Sequence, residues 1–261
     1  MLYFPQLSTG ATGQYPVSKR SVQRTIVSQL PDGHAVKLAD PGADYVEWQL
    51  AFQGLSDAEL NTLEQFHAAC EGQLNSFVFL DPVGNLLAWS EQLTQAAWQA
   101  STLLEITAGI DDPNGGSSAT RITNQAAADL ALQQDINAPG WYCYCFSVYA
   151  RGQGGSVSLL RAAGSVSASE SCALPPKWTR LTSGGTLNTT AESFSAGILI
   201  PAGQSVDVFG FQLEAQPGAS PYKPTLSGGG VYATAHFSQD AFAFTTTAPN
   251  RHSCTLTINA H

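Results

Sequence analysis

Between residues 86 and 225 the sequence offers one short strand-like run after another, with turn signals between them and almost no helical periodicity. The runs cover residues 103–107, 118–123, 141–151, 156–161, 177–182, 194–200 and 205–214. Strands of this kind bury one face each, so their sheets must stack face to face. The stretch therefore reads as a β-sandwich, and a jelly roll is the commonest solution at this size.

The flanks read differently. Residues 1–84 mix strands with one helix. Val46, Trp48, Leu50 and Phe52 recur at every second position, as in a half-buried strand. Upstream, runs at 21–30 and 34–39 flank Pro31-Asp32-Gly33, where Pro fixes φ and Gly frees it, so a turn is expected. Ser56 and Glu59 have the spacing of a capping box; Leu60, Leu63 and Phe66 follow at helical spacing, and Gly72 suits the stop. A strand over 74–80 ends at Asp81-Pro82. After Gly228-Gly229-Gly230, short alternating strands return over 231–237, with Phe242 and Phe244 on one face and Cys254, Leu256 and Ile258 on another.

The final 31 residues are too few to enclose a core, since even a domain of about 60 residues is marginal. Joined to the first 84, they make an ordinary domain. The expectation is thus a mainly-β chain: a discontinuous α+β domain with one helix, residues 1–84 and 228–261, carrying an inserted jelly roll at 85–227. The turn Asp81-Pro82-Val83-Gly84 is a suitable insertion point. First and last strands that neighbour each other would bring Leu86 and Thr225 together. The alternative is a linear chain with a small C-terminal β-appendage.

Composition narrows the function. Of 261 residues only 12% are charged, and 11 basic against 20 acidic residues give a net charge of −9. Such a chain repels phosphate backbones, so no nucleic acid partner is expected. No apolar run of about 18 residues suggests a membrane span, and the first ten residues show no secretory pattern. Cys70, Cys143, Cys145, Cys172 and Cys254 are odd in number and scattered. They read as buried free thiols in a reducing compartment, without disulfide or zinc spacing.

Two resemblances follow from particular residues. Arg24 with Asp32-Gly33, Trp48-Gln49-Leu50 before the capped helix, Phe66 within it, and the run from Glu71 through Ser76-Phe77-Val78-Phe79-Leu80 to Asp81-Pro82 resemble the distal tail and minor tail proteins of long-tailed phages and gene transfer agents. That resemblance implies a ring-forming domain, closed by strands that would here lie in 231–258. The middle resembles the carbohydrate-binding-module-like jelly rolls of phage tail and adhesion proteins. It does so through Asn85-Leu86-Leu87 as an opening strand, Ser90-Glu91, Trp98, the long strand Phe146–Arg151, Trp178-Thr179-Arg180, Gly210-Phe211-Gln212-Leu213-Glu214 and Pro221-Tyr222-Lys223-Pro224-Thr225. It implies a sugar-facing sandwich.

No catalytic constellation is legible. His34, His67, His236, His252 and His261 lie outside the sandwich in no metal-ligand spacing, and no Gly-x-Ser-x-Gly elbow occurs. Arg151-Gly152-Gln153-Gly154-Gly155 leads from strand to strand, so it reads as a hairpin loop and not a phosphate cradle. Asp111-Asp112-Pro113-Asn114-Gly115 has oxygen donors like a calcium loop, but reads as a plain turn. Related jelly rolls carry calcium near their ends, which points to Glu91 or Asp207; no metal and no cofactor is assigned.

Sugar binding needs flat aromatic faces and planar polar groups. Alternation along the long strand puts Trp141, Tyr149 and Arg151 on one face and Tyr142, Tyr144, Phe146 and Val148 on the other. On the last strand it puts Phe209, Phe211 and Leu213 in the core and Gln212 and Glu214 outside. Trp141, Tyr149, Arg151, Gln212 and Glu214 are therefore the candidate carbohydrate-binding residues; the alternative is that they form an ordinary solvated or second-layer sheet face. The expected function is a non-enzymatic phage-tail structural protein at the tip or baseplate, assembled in the host cytoplasm. Its partners would be copies of itself in a ring, six-fold by resemblance, the tail tube and hub proteins, and host-surface glycans. The alternatives are a stand-alone lectin-like adhesin, a tail fibre accessory protein or a glycan depolymerase.

Overall fold

The computed structural model describes the whole chain, Met1–His261. It contains eighteen strands, a single 3-10 turn at Pro41–Ala43 and one α-helix, in keeping with the mainly-β, one-helix fold expected. The chain forms two compact units. Unit 1 comprises Met1–Pro5, Gly13–Phe79 and Tyr232–His261, and unit 2 comprises Gln6–Thr12 and Leu80–Val231.

The chain begins with β1 (Val17–Val22), β2 (Thr25–Gln29), β3 (Ala35–Ala39), β4 (Tyr45–Leu55), α1 (Asp57–Ala69) and β5 (Phe77–Leu80). Ten strands follow: β6 (Gln99–Ala100), β7 (Leu104–Ile110), β8 (Ala119–Asn124), β9 (Leu130–Ile136), β10 (Tyr144–Arg151), β11 (Ser156–Ala163), β12 (Val166–Ala173), β13 (Thr179–Gly185), β14 (Phe194–Ile200) and β15 (Ser205–Glu214). The last three are β16 (Val231–Phe237), β17 (Phe244–Ala248) and β18 (Arg251–Ala260).

In unit 1 the main sheet runs β1-β4-β18-β16-β5, with β17 attached to β18. Strand β18 lies antiparallel along β4 from His252 opposite Leu55 to Ala260 opposite Val46. Trp48, Leu50 and Phe52 are buried on one face of β4, as alternation predicts. Helix α1 starts at the capping box: the Ser56 hydroxyl accepts from the Glu59 N–H while the Glu59 carboxylate accepts from the Ser56 N–H at 3.0 Å. Leu60 and Leu63 are buried, and Phe66 meets Phe4 and Phe77 edge-on at 5.7 and 5.2 Å. Strand β5 starts later than residue 74, because Glu71 and Gly72 leave the helix at φ 51° and 65° and Leu74 stays exposed in the turn.

The β2–β3 hairpin stands apart as a separate two-stranded sheet. Its turn follows Pro31-Asp32-Gly33: Gly33 N–H donates to Leu30 C=O, and the Asp32 carboxylate accepts from His34 N–H at 3.0 Å. Every residue of both strands is exposed, Ile26, Val27, Val36 and Leu38 included.

Unit 2 is a sandwich of two five-stranded antiparallel sheets, β13-β10-β15-β8-β7 and β12-β11-β14-β9-β6. Between them pack Ile122, Phe146, Val148, Val157, Leu159, Phe194, Ile198, Val208, Phe211 and Leu213, all buried. Three strands escaped the pattern: the two-residue β6, β9 and β12. β12, VSASESCA, is an exposed edge built from small polar residues and paired through its backbone to β11; β9 carries Gln133, Gln134 and Asp135 among its apolar residues. Strand β10 begins at Tyr144 because Pro139 and Gly140 form a turn that includes Trp141. Residues 85–87 form no named strand. The segment runs irregularly beside the upper part of β15, with Leu86 N–H on Leu213 C=O and Phe211 N–H on Ser90 C=O.

Asn85, 2% exposed, fastens that segment. Its amide donates to Phe211 C=O and Lys223 C=O at 2.8 and 3.2 Å, and its carbonyl accepts from Leu87 and Leu213 N–H at 3.2 and 3.1 Å. Its backbone C=O accepts from Gly230 N–H at 2.7 Å, and Gly230 C=O accepts from Asp81 N–H at 2.8 Å. The Thr225 hydroxyl donates to Leu87 C=O at 2.7 Å.

One departure redirects the outer face of the sandwich. Strand β10 pairs with β15 as Ser147 opposite Gln212 and then Tyr149 opposite Phe209, so β15 holds an extra residue there. Gly210 sits at the bulge with φ 66°, and a Cβ on it would lie 3.1 Å from the Tyr222 ring. The bulge turns Phe209 outward and Val208 inward, opposite to the strict alternation read from the sequence.

Candidate functional site

The outer face of the β13-β10-β15-β8-β7 sheet is half covered and half open. The covered half lies beneath residues 216–223. There Gln212, fully buried, donates to Glu214 and accepts from Lys223 N–H at 2.7 Å. Glu214, 2% exposed, accepts from Ser220 N–H at 2.9 Å and from the Lys223 ammonium at 3.3 Å. Both residues point off the sheet as alternation requires, but the returning chain buries them. They brace that chain and, being buried under it, present no surface to a ligand.

Trp141 is 42% exposed, but it lies in the turn before β10. Seven residue steps from Tyr144 to Arg151 span roughly 23 Å along the strand, so Trp141 belongs to the far end from Tyr149 and Arg151. Of the five candidates, only Tyr149 and Arg151 lie together on the open half of the face, Gln212 and Glu214 being paired under the covering segment.

At their end of the sheet is a cleft of about 730 Å³ lined by Arg121, Arg151, Asp207, Ser205, Gln204 and Gln153, with Gly152, Gly154, Pro176 and Gly203 at its rim. Asp207 is its centre. Its carboxylate accepts from Arg121 Nε and Nη2 at 2.7 and 3.1 Å and from Arg151 Nε at 3.0 Å. Burial opposes the charge on Asp207, but the hydrogen bonds from Arg121 and Arg151 outweigh it and hold the carboxyl below the usual carboxylate range. A cation bound to Asp207 would face two guanidinium groups, which speaks against calcium there. Glu91 accepts from the Tyr222 hydroxyl at 3.0 Å.

Aromatic rings support the arginines. The Arg151 guanidinium lies over the Trp178 ring at 4.6 Å, and that of Arg180 over Tyr149 at 5.6 Å. Arg180 also donates to the Ser147 hydroxyl at 2.8 Å. Sequence reasoning missed Arg121, Trp178 and Asp207 as a group. Alternation aims Arg121 outward, but nothing local places it beside Asp207; that needs the pairing of β8, β15 and β10.

Other chemistry is structural. Asp112 accepts from Ser118, Asn114 and Gly116 N–H groups, which hold it below the usual carboxylate range, with Ser118 the largest contributor; its oxygens serve the turn itself. Burial pushes the thiols of Cys70, Cys145 and Cys254 up to about 11, so they are poor nucleophiles. In unit 1, His252 bridges Asp57 at 2.6 Å and Thr246 at 3.0 Å, tying β17 and β18 to the first turn of α1. It does not line the shallow groove formed there by Phe52, Phe244 and Cys254. No group of three or more His, Cys, Asp or Glu side chains is placed to hold a metal ion, and no helix is long and apolar enough to cross a membrane.

No protein-family model matches the chain, and no curated protein does. Solved structures are similar in part. A CBM61 module in complex with β-1,4-galactotriose is 15% identical with a TM-score of 0.39, covering 49% of this chain and 97% of its own. The C-terminal family 22 carbohydrate-binding module of Clostridium thermocellum Xyn10B is 18% identical with a TM-score of 0.41, covering 54% and 98%. The enzymatically active domain of bacteriophage CBA120 tailspike protein 4 is 14% identical with a TM-score of 0.41, covering 52% and 22%.

Proposed function

We propose that the protein is a structural component of a phage-like tail tip or baseplate, of the distal tail type. In this reading unit 1 joins copies into a ring between tail tube and tip, and unit 2, as an inserted jelly roll, presents a glycan-binding face. The protein would be assembled in the host cytoplasm and would not be an enzyme.

The observation that carries the assembly is the β2–β3 hairpin. A two-stranded hairpin is marginal by itself in water. This one has no sheet partner, and Ile26, Val27, Val36 and Leu38 are 41–57% exposed on it. The main sheet of the same unit offers a complement. Its β5 edge is bonded to the N-terminal segment, through Phe4 N–H on Val78 C=O and Val78 N–H on Leu2 C=O. Its β1 edge ends the sheet without a further strand, and β1, six residues long, is of matching length to the five-residue β2 and β3. A hairpin of one copy adding to β1 of the next is a head-to-tail contact, which gives a ring where its rotation closes and a filament where it does not.

The hairpin can be removed cleanly, because its base is closed by Asp40 N–H on Arg24 C=O at 3.0 Å. Light scattering should find a closed oligomer for the full chain and a folded monomer after deletion of residues 25–39. A full chain that stays monomeric and is absent from tail particles rejects the tail reading. The lectin-like alternative, favoured by a cleft complete within one copy, would then stand.

A further inference from the structure

We infer that the cleft of unit 2 recognises a carboxylated saccharide, a pyranose bearing a uronic or sialic acid carboxylate, and not a neutral glycan. This rests on the glycan-facing reading of unit 2 and names the ligand class of that site.

The first observation is what the aromatic rings do. Recognition of a neutral sugar by stacking needs an open ring face. Here Trp178 is faced by Arg151 at 4.6 Å and Tyr149 by Arg180 at 5.6 Å. The rings hold guanidinium planes in place, so the groups offered to a ligand are N–H forks.

The second observation is how those forks are aimed. Asp207 engages the Nε atoms of both cleft arginines and Nη2 of Arg121. Nη1 of Arg121 and both terminal nitrogens of Arg151 are left without a protein partner. With side-chain exposures of 52% and 30%, the two arginines reach solvent around a carboxylate that is only 8% exposed. Planar guanidinium groups anchored at one edge and free at the other suit a bidentate carboxylate. Their rotamers are already fixed, which lowers the entropy lost on binding.

The third observation is charge. Two guanidinium groups against one carboxylate leave one net positive charge in the cleft of a chain whose net charge is −9. Of its 11 basic residues, Arg121 and Arg151 line the cleft and Arg180 lies over Tyr149 on the same face. Glu105 of β7, on the same face, is engaged by Gln125 at 2.6 Å. The hydroxyl and amide groups of Ser205, Gln204 and Gln153 line the rest of the cleft, where a sugar's hydroxyls would lie.

The test is a glycan array with acidic and neutral members, followed by calorimetry of the full chain with trigalacturonate, sialyllactose and neutral galactotriose. Binding of either acidic probe over galactotriose is expected, weakening as salt rises. The two acidic arms separate a uronate from a sialic acid ligand. Arg151→Lys keeps the charge and loses the fork; it should weaken acidic binding by about tenfold or more, with thermal unfolding run alongside to show that the variant is folded at the assay temperature. Galactotriose bound as tightly as trigalacturonate and sialyllactose, or acidic binding indifferent to salt, overturns the inference while glycan binding survives. No binding to any arrayed sugar overturns both. The salt series uses the unaltered protein, so the outcome does not depend on a variant folding.

Discussion

Replacing Asn85 by Ala should loosen unit 2 more than any single surface change. The side chain makes four hydrogen bonds, two given and two received, at 2.8–3.2 Å in a site that is 2% exposed. Each is worth about 1 kcal/mol net, and the partners left behind are two backbone N–H groups and two C=O groups. Those of Leu213 and Phe211 lie on β15 at the middle of a sheet, where water replaces a lost partner poorly. The expected loss is about 3–5 kcal/mol. With a urea slope of about 2 kcal/mol per molar, the unit 2 transition should move down by about 2 M. Tryptophan fluorescence reports it, since Trp89, Trp98, Trp141 and Trp178 lie in unit 2 and only Trp48 in unit 1. Asn85→Asp should be at least as damaging, because it keeps the two acceptor roles but replaces the amide donor with a carboxylate oxygen, an acceptor, facing the carbonyls of Phe211 and Lys223. A shift below about 0.5 M for the alanine variant, or an aspartate variant as stable as the parent, would refute the reasoning.

Gly210→Ala should cost about 1–2 kcal/mol for the left-handed backbone alone, and more as the Cβ displaces Tyr222; urea unfolding measures it. For Asp207 the folded carboxyl is held below its unfolded value, so its stabilising effect is complete above the ordinary carboxylate range and fades as the pH falls toward the lower folded value. The stability gap between the parent and Asp207→Asn should therefore be widest near neutral pH and narrow below about pH 4, as read by thermal unfolding across a pH series. A gap that grows on acidification would contradict this.

Local patterns were the legible part of this fold. Ser56 and Glu59 announce the helix, Pro31-Asp32-Gly33 announces the hairpin, and the alternation of Trp48, Leu50 and Phe52 announces a buried strand, because each signal acts within a few residues. Strand β12 was silent, since its stability comes from backbone pairing to β11 and not from an apolar face. The candidate site was legible only in part, for two physical reasons. One extra residue at Gly210 inverts the inside–outside order of Val208 and Phe209, and a strand pattern does not announce a bulge. Alternation also says which side chains leave the sheet, but not whether another segment lies over them, as residues 216–223 lie over Gln212 and Glu214. Tyr149 and Arg151 escape that cover, and their companions Arg121 and Asp207 come from strands distant in sequence.

The clasp formed by Asp81, Asn85 and Gly230 has a further consequence. At Asp81 and Gly230 the two ends of the longer segment of unit 2 are separated by the breadth of a hydrogen bond, while residues 6–12 join the same unit separately, Gln6 binding the backbone of Cys143 and Ala215. A different β-body with an equally narrow footprint would fit the same two ends, provided that it also gave residues 6–12 a seat.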